Sequence, residues 1–198
     1  MDKTEARIRL SIDAMGSDLG PSEVLEGVAL AIDRSPWNTE FVLFGQEEII
    51  EPLITSHSIL SRSKVEFVHS PEVVGMEEKP IAGIKGKKKS SMSLALQALK
   101  EGEADALLSC GNTGCLMAGG AIKLRTLDGV ERPALCTIWP GRERYFTLLD
   151  AGANPHAKPF HIAQSAVLGS NYARVALGLV RPKVCLLYTS DAADDTPC

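Results

Sequence analysis

Ile8, Leu10 and Ile12 alternate with polar neighbours and then give way to DAMGSDLGP, so an amphipathic strand ends near Asp13 in a loop of small and acidic residues. Apolar runs of strand length recur at 40–44, 64–68, 105–109, 134–139 and 145–149. Stretches with helical spacing lie between most of them. Pro21 suits the first turn of a helix, and Val24, Leu25, Val28, Ala29 and Ile32 follow at intervals of three and four, one apolar stripe to lay on a sheet. Further helices are expected over 46–56, 91–101, 113–126 and 160–179. This alternation predicts a three-layer α/β sandwich around a mainly parallel sheet. Only PGRER separates the last two strand runs, too little for a crossover helix, so that pair is expected as an antiparallel hairpin on the sheet.

The length, 198 residues, suffices for one domain with a real core or for part of a larger protein. Acidic side chains number 25 against 21 basic, and the net charge of -4 speaks against a general nucleic-acid binder. MDKTEARIRL has no apolar segment behind its charges, and no window approaches the roughly 18 continuous apolar residues of a membrane span, so a cytoplasmic protein is expected. Cys110, Cys115, Cys136, Cys185 and Cys198 are odd in number and lack CxxC spacing, which predicts thiols rather than a disulfide framework or zinc site. From Cys185 the chain reads CLLYTSDAADDTPC, which resembles the translated read-through of a sequencing-library adapter. The expectation is that residues 1–184 are the N-terminal part of one α/β domain and 185–198 a non-native tail. Within that tail Val184, Leu186 and Tyr188 alternate as an accidental strand would, and DAADDTPC has the composition of a disordered end.

Three stretches carry candidate chemistry. In SCGNTGCLMAGG a strand ends, Gly111 and Gly114 free the backbone, and Asn112 or Thr113 caps the next helix, which leaves N–H groups converging where an anion would sit. A turn whose cap only satisfies its own helix has the same spacing. In EEKPIAGIKGKKKSSM the residues Lys79, Lys85, Lys87, Lys88 and Lys89 crowd an otherwise acidic chain, and Ser90 and Ser91 open a second helix beside them. Such a run is either a solvated face or a landing site for an anion or an acidic protein. LLDAGANPHAKP repeats the layout of 12–20, a strand ending in Asp150 with Gly152, Ala153 and Asn154 behind it. Asp13, Asp18 and Asp150 are candidate bases or orienting groups, although turn aspartates also simply bond local backbone. His156 and His161 lie five apart, not at the spacing of a helical metal pair, and Cys110 and Cys115 read as small buried thiols.

IDAMGSDLGP, GMEEKPIAGIKGKKKSSM, SCGNTGCLMAGG, GVERPALCTIWP and LLDAGANPHAKP, in this order over about Ile8 to Val184, resemble the bacterial phosphate acyltransferase (PlsX) family. The resemblance implies a fold of the isocitrate and isopropylmalate dehydrogenase type. It implies an enzyme of phospholipid synthesis that moves a fatty acyl chain from acyl carrier protein to inorganic phosphate, without metal or nucleotide, as a homodimer with peripheral membrane contact. On it, Asn112, Thr113, Asp150 and Asn154 are the expected catalytic residues. Asp13, Gly16, Asp18, Gly20, Lys85, Lys88, Lys89, Ser90, Ser91, Gly111 and Gly114 are the expected substrate-binding ones. Ser17 and Leu19 stand where the family has Gly and often His, Cys110 and Cys115 where it has Ala, and His156 where it has Asp. Two enzyme alternatives share such a shape, a coenzyme A-dependent phosphotransacylase and a nicotinamide-dependent dehydrogenase; against the latter, no GxGxxG follows a strand. A non-catalytic scaffold that binds acyl carrier protein would need the lysines but not the GNTG turn.

Overall fold

The computed structural model describes residues 7–62, 65–150 and 157–187. The chain divides into two compact units, Met1–Arg125 and Thr126–Cys198. In the first, β1 (Ile8–Asp13), β2 (Thr39–Gly45), β3 (Val65–His69) and β4 (Ala106–Ser109) form one parallel sheet in the order β3-β2-β1-β4. The helices are α1 (Pro21–Arg34), α2 (Glu47–Ser56), α3 (Ser58–Arg62), α4 (Pro80–Gly86), α5 (Ser91–Glu101) and α6 (Thr113–Lys123).

Strand alternation sorts the side chains into two cores. Ile12, Phe41 and Leu43 face one way and bury against Leu25, Val28 and Ala29 of α1, Ile50 of α2 and Leu60 of α3. Val42 and Phe44 face the other way and meet Ala95 and Ala98 of α5. Ser11 is the polar exception, and its hydroxyl donates to the carbonyls of Ala95 (3.3 Å) and Ala106 (3.2 Å). Helices on both faces make the expected three-layer sandwich, and helix α5 ends where Gly102 enters the left-handed region at φ 76°. Helices α3 and α4 were not foreshadowed by spacing, because five and seven residues are too few to display a helical period.

The order of the strands decides where a ligand belongs. After β1 the chain moves outward through β2 to β3, then returns to the far side of β1 as β4. The carboxyl ends of β1 and β4 therefore flank the point where the winding reverses, the usual crevice for ligands in open α/β sheets.

In the second unit β5 (Cys136–Pro140) and β6 (Tyr145–Leu149) form the expected antiparallel hairpin, closed by the Gly141 N–H on the Arg144 carbonyl at 3.0 Å. It is a two-stranded sheet of its own rather than an extension of the parallel one. Helix α7 (Pro159–Leu177) packs on β6 through Gly169, where a Cβ would stand 2.6 Å from Leu149 Cδ1. Residues 182–187 are irregular, so the described part of the accidental strand expected from Val184 is not in a strand. Tyr188 and the residues after it lie outside the described residues.

Candidate active site

Asp13 closes β1 at the reversal point and is only 2% exposed. Its Oδ2 accepts a hydrogen bond from Ser109 Oγ at 2.8 Å, and that hydroxyl oxygen accepts one from the Gly111 N–H at 3.1 Å. The loops after β1 and β4 meet here through two glycines. A Cβ on Gly16 would overlap Asp13 Oδ2 and stand 2.9 Å from Ser109 Oγ, and one on Gly111 would stand 3.1 Å from Gly16 Cα. The rest of the first loop is more open: Asp18 is exposed, and Gly20, at φ 88°, serves as the N-cap position of α1 ahead of Pro21.

Asn112 is the N-cap of α6. Its Oδ1 accepts the Cys115 N–H at 2.9 Å, while its Nδ2 donates to the carbonyls of Gly75 (3.2 Å), Met76 (2.7 Å) and Glu78 (3.0 Å). The amide is saturated by protein and acts by holding the 75–78 loop against the helix start. The N–H groups of Thr113 and Gly114 have no partner among the described residues, so the first turn of α6 keeps two donors at the positive end of its dipole. Gly114 also lets α4 approach, since a Cβ there would lie 2.7 Å from Pro80 Cγ.

The lysine run divides. Lys87 donates to the Val73 carbonyl at 2.7 Å and pairs with the carboxylate of Glu78, which also accepts the Gly75 N–H at 2.8 Å. The Lys87 ammonium, then the Gly75 N–H, hold the Glu78 carboxyl below the usual range. Lys85, Lys88 and Lys89 are exposed and form no ion pair among the described residues. Ser90 and Ser91 are buried and serve helix α5 itself. Ser90 Oγ accepts the Ser93 N–H at 3.3 Å and donates to the Lys87 carbonyl at 2.8 Å, and the Ser91 N–H goes to the Glu72 carbonyl at 3.2 Å.

Asp150 directly follows β6 in the second unit, half-buried, at φ 61°, a left-handed conformation that aspartate tolerates better than most residues. Its N–H donates to the Leu135 carbonyl at 2.7 Å. Asn154, with Gly152, Ala153 and His156, lies outside the described residues. His161 is buried: its Nδ1 accepts the Lys158 N–H at 3.2 Å, which leaves Nε2 to donate to Glu131 Oε2 at 2.9 Å. Gln164 holds the same segment through the Glu131 N–H and the Gly129 carbonyl, so both side chains tie GVERP to α7. No cluster of three His, Cys, Asp or Glu able to hold a metal occurs among the described residues.

The two cysteines around the turn differ. Cys115 is fully buried as expected, and burial, then the nearby Glu78 carboxylate, push its thiol up. Cys110, the first residue after β4, is exposed instead. Iodoacetamide at neutral pH, followed by peptide mapping, should therefore alkylate Cys110 and spare Cys115. Rapid labelling of Cys115 in the native protein would contradict this packing.

Residues 8–194 match the family described as fatty acid synthesis protein. A phosphate acyltransferase of Levilactobacillus brevis is 38% identical over 191 residues, covering 94% of this chain and 54% of the relative. Those of Azorhizobium caulinodans and Nitrobacter hamburgensis are 43% and 41% identical over 183 and 182 residues, covering 92% and 91% of this chain and 51% of each relative. The chain thus spans about half the length of these curated relatives.

Proposed function

The chain belongs to the fatty acid synthesis protein family, and from that premise we propose that the whole protein is a phosphate acyltransferase that moves a fatty acyl group from a carrier thioester to inorganic phosphate. The observation that carries the reading is the pair of unbonded N–H groups at Thr113 and Gly114, set at the sheet's reversal point in a chain whose relatives bear that name. A phosphate oxygen attacks the thioester carbonyl carbon, a C–O bond forms, and the carbonyl oxygen becomes an oxyanion. Collapse of that intermediate breaks the C–S bond and releases the carrier thiolate with acyl phosphate as product. Thiolates leave readily near neutral pH, so neither an enzyme nucleophile nor a strong general acid is needed. The protein's contribution is to hold phosphate in line and offer N–H donors to developing negative charge. Asp13, Gly16 and Gly111 shape the floor of this site and Asp18 and Gly20 border it; Asp150 and Asn154 are proposed for the reaction on the family resemblance alone.

The donor we assign is acyl carrier protein, an acidic partner for the exposed Lys85, Lys88 and Lys89. Replacing these three by glutamate should slow carrier association about tenfold at low salt and flatten its salt dependence. A rate unaffected by charge reversal would make the run a solvated face. On the family resemblance we further propose a cytoplasmic homodimer with peripheral membrane contact. No helix of the described residues is long and apolar enough to cross a membrane. The deciding experiment incubates full-length protein with acylated carrier protein and phosphate and measures acyl phosphate. Carrier binding without product would favour the scaffold, and product only from acyl coenzyme A would favour the phosphotransacylase.

A further inference from the structure

The geometry points to Ser109 as a positioning residue that locks the phosphate-binding turn to the end of β1. The assignment rests on the reading of that turn as a phosphate site, and it adds a residue that neither the turn motif nor the loop aspartates announce. Ser109 is the last residue of β4, paired in register with Asp13, the last of β1. Its hydroxyl is used in both directions, donating to Asp13 Oδ2 at 2.8 Å and accepting the Gly111 N–H at 3.1 Å. Asp13 Oδ1 is buried and has no donor among the described residues, so the Ser109 hydroxyl is the side-chain donor on which this carboxylate depends.

The consequence is mechanical as well as electrostatic. An unpartnered buried carboxylate is costly, and a group that relieves it is held firmly. The donated O–H enriches the serine oxygen as an acceptor, which strengthens its grip on the Gly111 N–H. Gly111 is the middle residue of the three-residue connection Cys110–Asn112 that leads from β4 into the first turn of α6. Ser109 thereby transmits the position of β1 to the N–H groups of Thr113 and Gly114 without touching phosphate itself.

The test compares the wild-type chain with Ser109→Ala and Ser109→Thr. Inorganic phosphate is titrated by NMR, and amide hydrogen exchange is followed at Gly111 and, as a reporter of global opening, at Leu43 in the central strand β2. The alanine variant is expected to bind phosphate about tenfold more weakly, the loss of one hydrogen bond to a charged group, and to exchange faster at Gly111 while Leu43 is unchanged. Threonine keeps the hydroxyl and should restore both. Equal phosphate affinity in wild type and alanine variant overturns the assignment, as does a threonine variant as weak as alanine with Leu43 still protected. Exchange needs no ligand: if wild type binds no phosphate, the site reading fails, whereas unchanged Gly111 exchange in the alanine variant removes the lock itself. Should alanine accelerate exchange at Leu43 too, the threonine variant alone decides.

Discussion

Asn112→Asp should destabilise the protein by about 2 to 4 kcal/mol, as much as Asn112→Ala or more, when unfolding is followed in urea. For an ordinary N-cap the opposite holds. Aspartate keeps the oxygen that accepts the Cys115 N–H and adds a negative charge at the positive end of α6, a neutral or favourable exchange. Here the other half of the amide decides. Nδ2 faces the carbonyls of Gly75, Met76 and Glu78 at 2.7 to 3.2 Å, and a carboxylate would set an oxygen against three oxygens in a largely buried place. Alanine leaves the Met76 carbonyl and one helix N–H without partners, while the Gly75 carbonyl keeps the Glu78 N–H and the Glu78 carbonyl keeps the Cys115 thiol, and it brings no repulsion. An aspartate variant as stable as wild type would mean that the 75–78 loop does not depend on Asn112. Phosphate binding should weaken with stability in both variants, since the loop and the first turn of α6 are fastened at the same point.

How much of this was legible in the sequence depends on how far apart the partners lie. Ile12 announced its strand by alternating with polar neighbours, and Val42 and Leu43 theirs by a continuous apolar run, the local signature of a strand buried on both faces. The capping oxygen of Asn112 was legible too, three residues from the N–H it accepts. Its amide nitrogen was not, because the carbonyls it serves come from a loop more than thirty residues earlier. Lys87, Lys88 and Lys89 are identical in sequence, yet one is committed to Glu78 while its two neighbours reach solvent. Nothing short of the backbone path from Gly75 to Lys87 distinguishes them. Ser90 and Ser91 illustrate the converse, since a capping signature correctly located a helix start whose side chains and N–H groups serve the protein's own backbone. Ser109 opens the SCGNTG stretch, but nothing local gives it a role, which arises only when β4 returns beside β1, 96 residues from Asp13.

The same juxtaposition makes Gly16→Ala the second large effect. The backbone at Gly16 is not in the left-handed region, so an alanine is conformationally allowed and the whole penalty is steric. Its methyl would overlap Asp13 Oδ2, approach Asp13 Cγ to 3.0 Å and Ser109 Oγ to 2.9 Å. None of these can retreat cheaply. Asp13 is held by its pairing in the sheet and is almost fully buried, and moving Ser109 breaks the bond on which that carboxylate depends. Overpacking of this kind, together with loss of the Ser109 bond, should cost about 3 kcal/mol. Gly27 supplies the internal comparison: it lies on the exposed side of α1, and a Cβ there meets nothing within 4 Å. Gly27→Ala should stabilise by about 0.5 to 1 kcal/mol, because alanine surrenders less backbone entropy in a helix. Urea midpoints of the two variants should therefore move in opposite directions from wild type. If Gly16→Ala unfolded at the wild-type midpoint, the loops after β1 and β4 would have slack between them, and the interlock that aims the first turn of α6 would have to be abandoned.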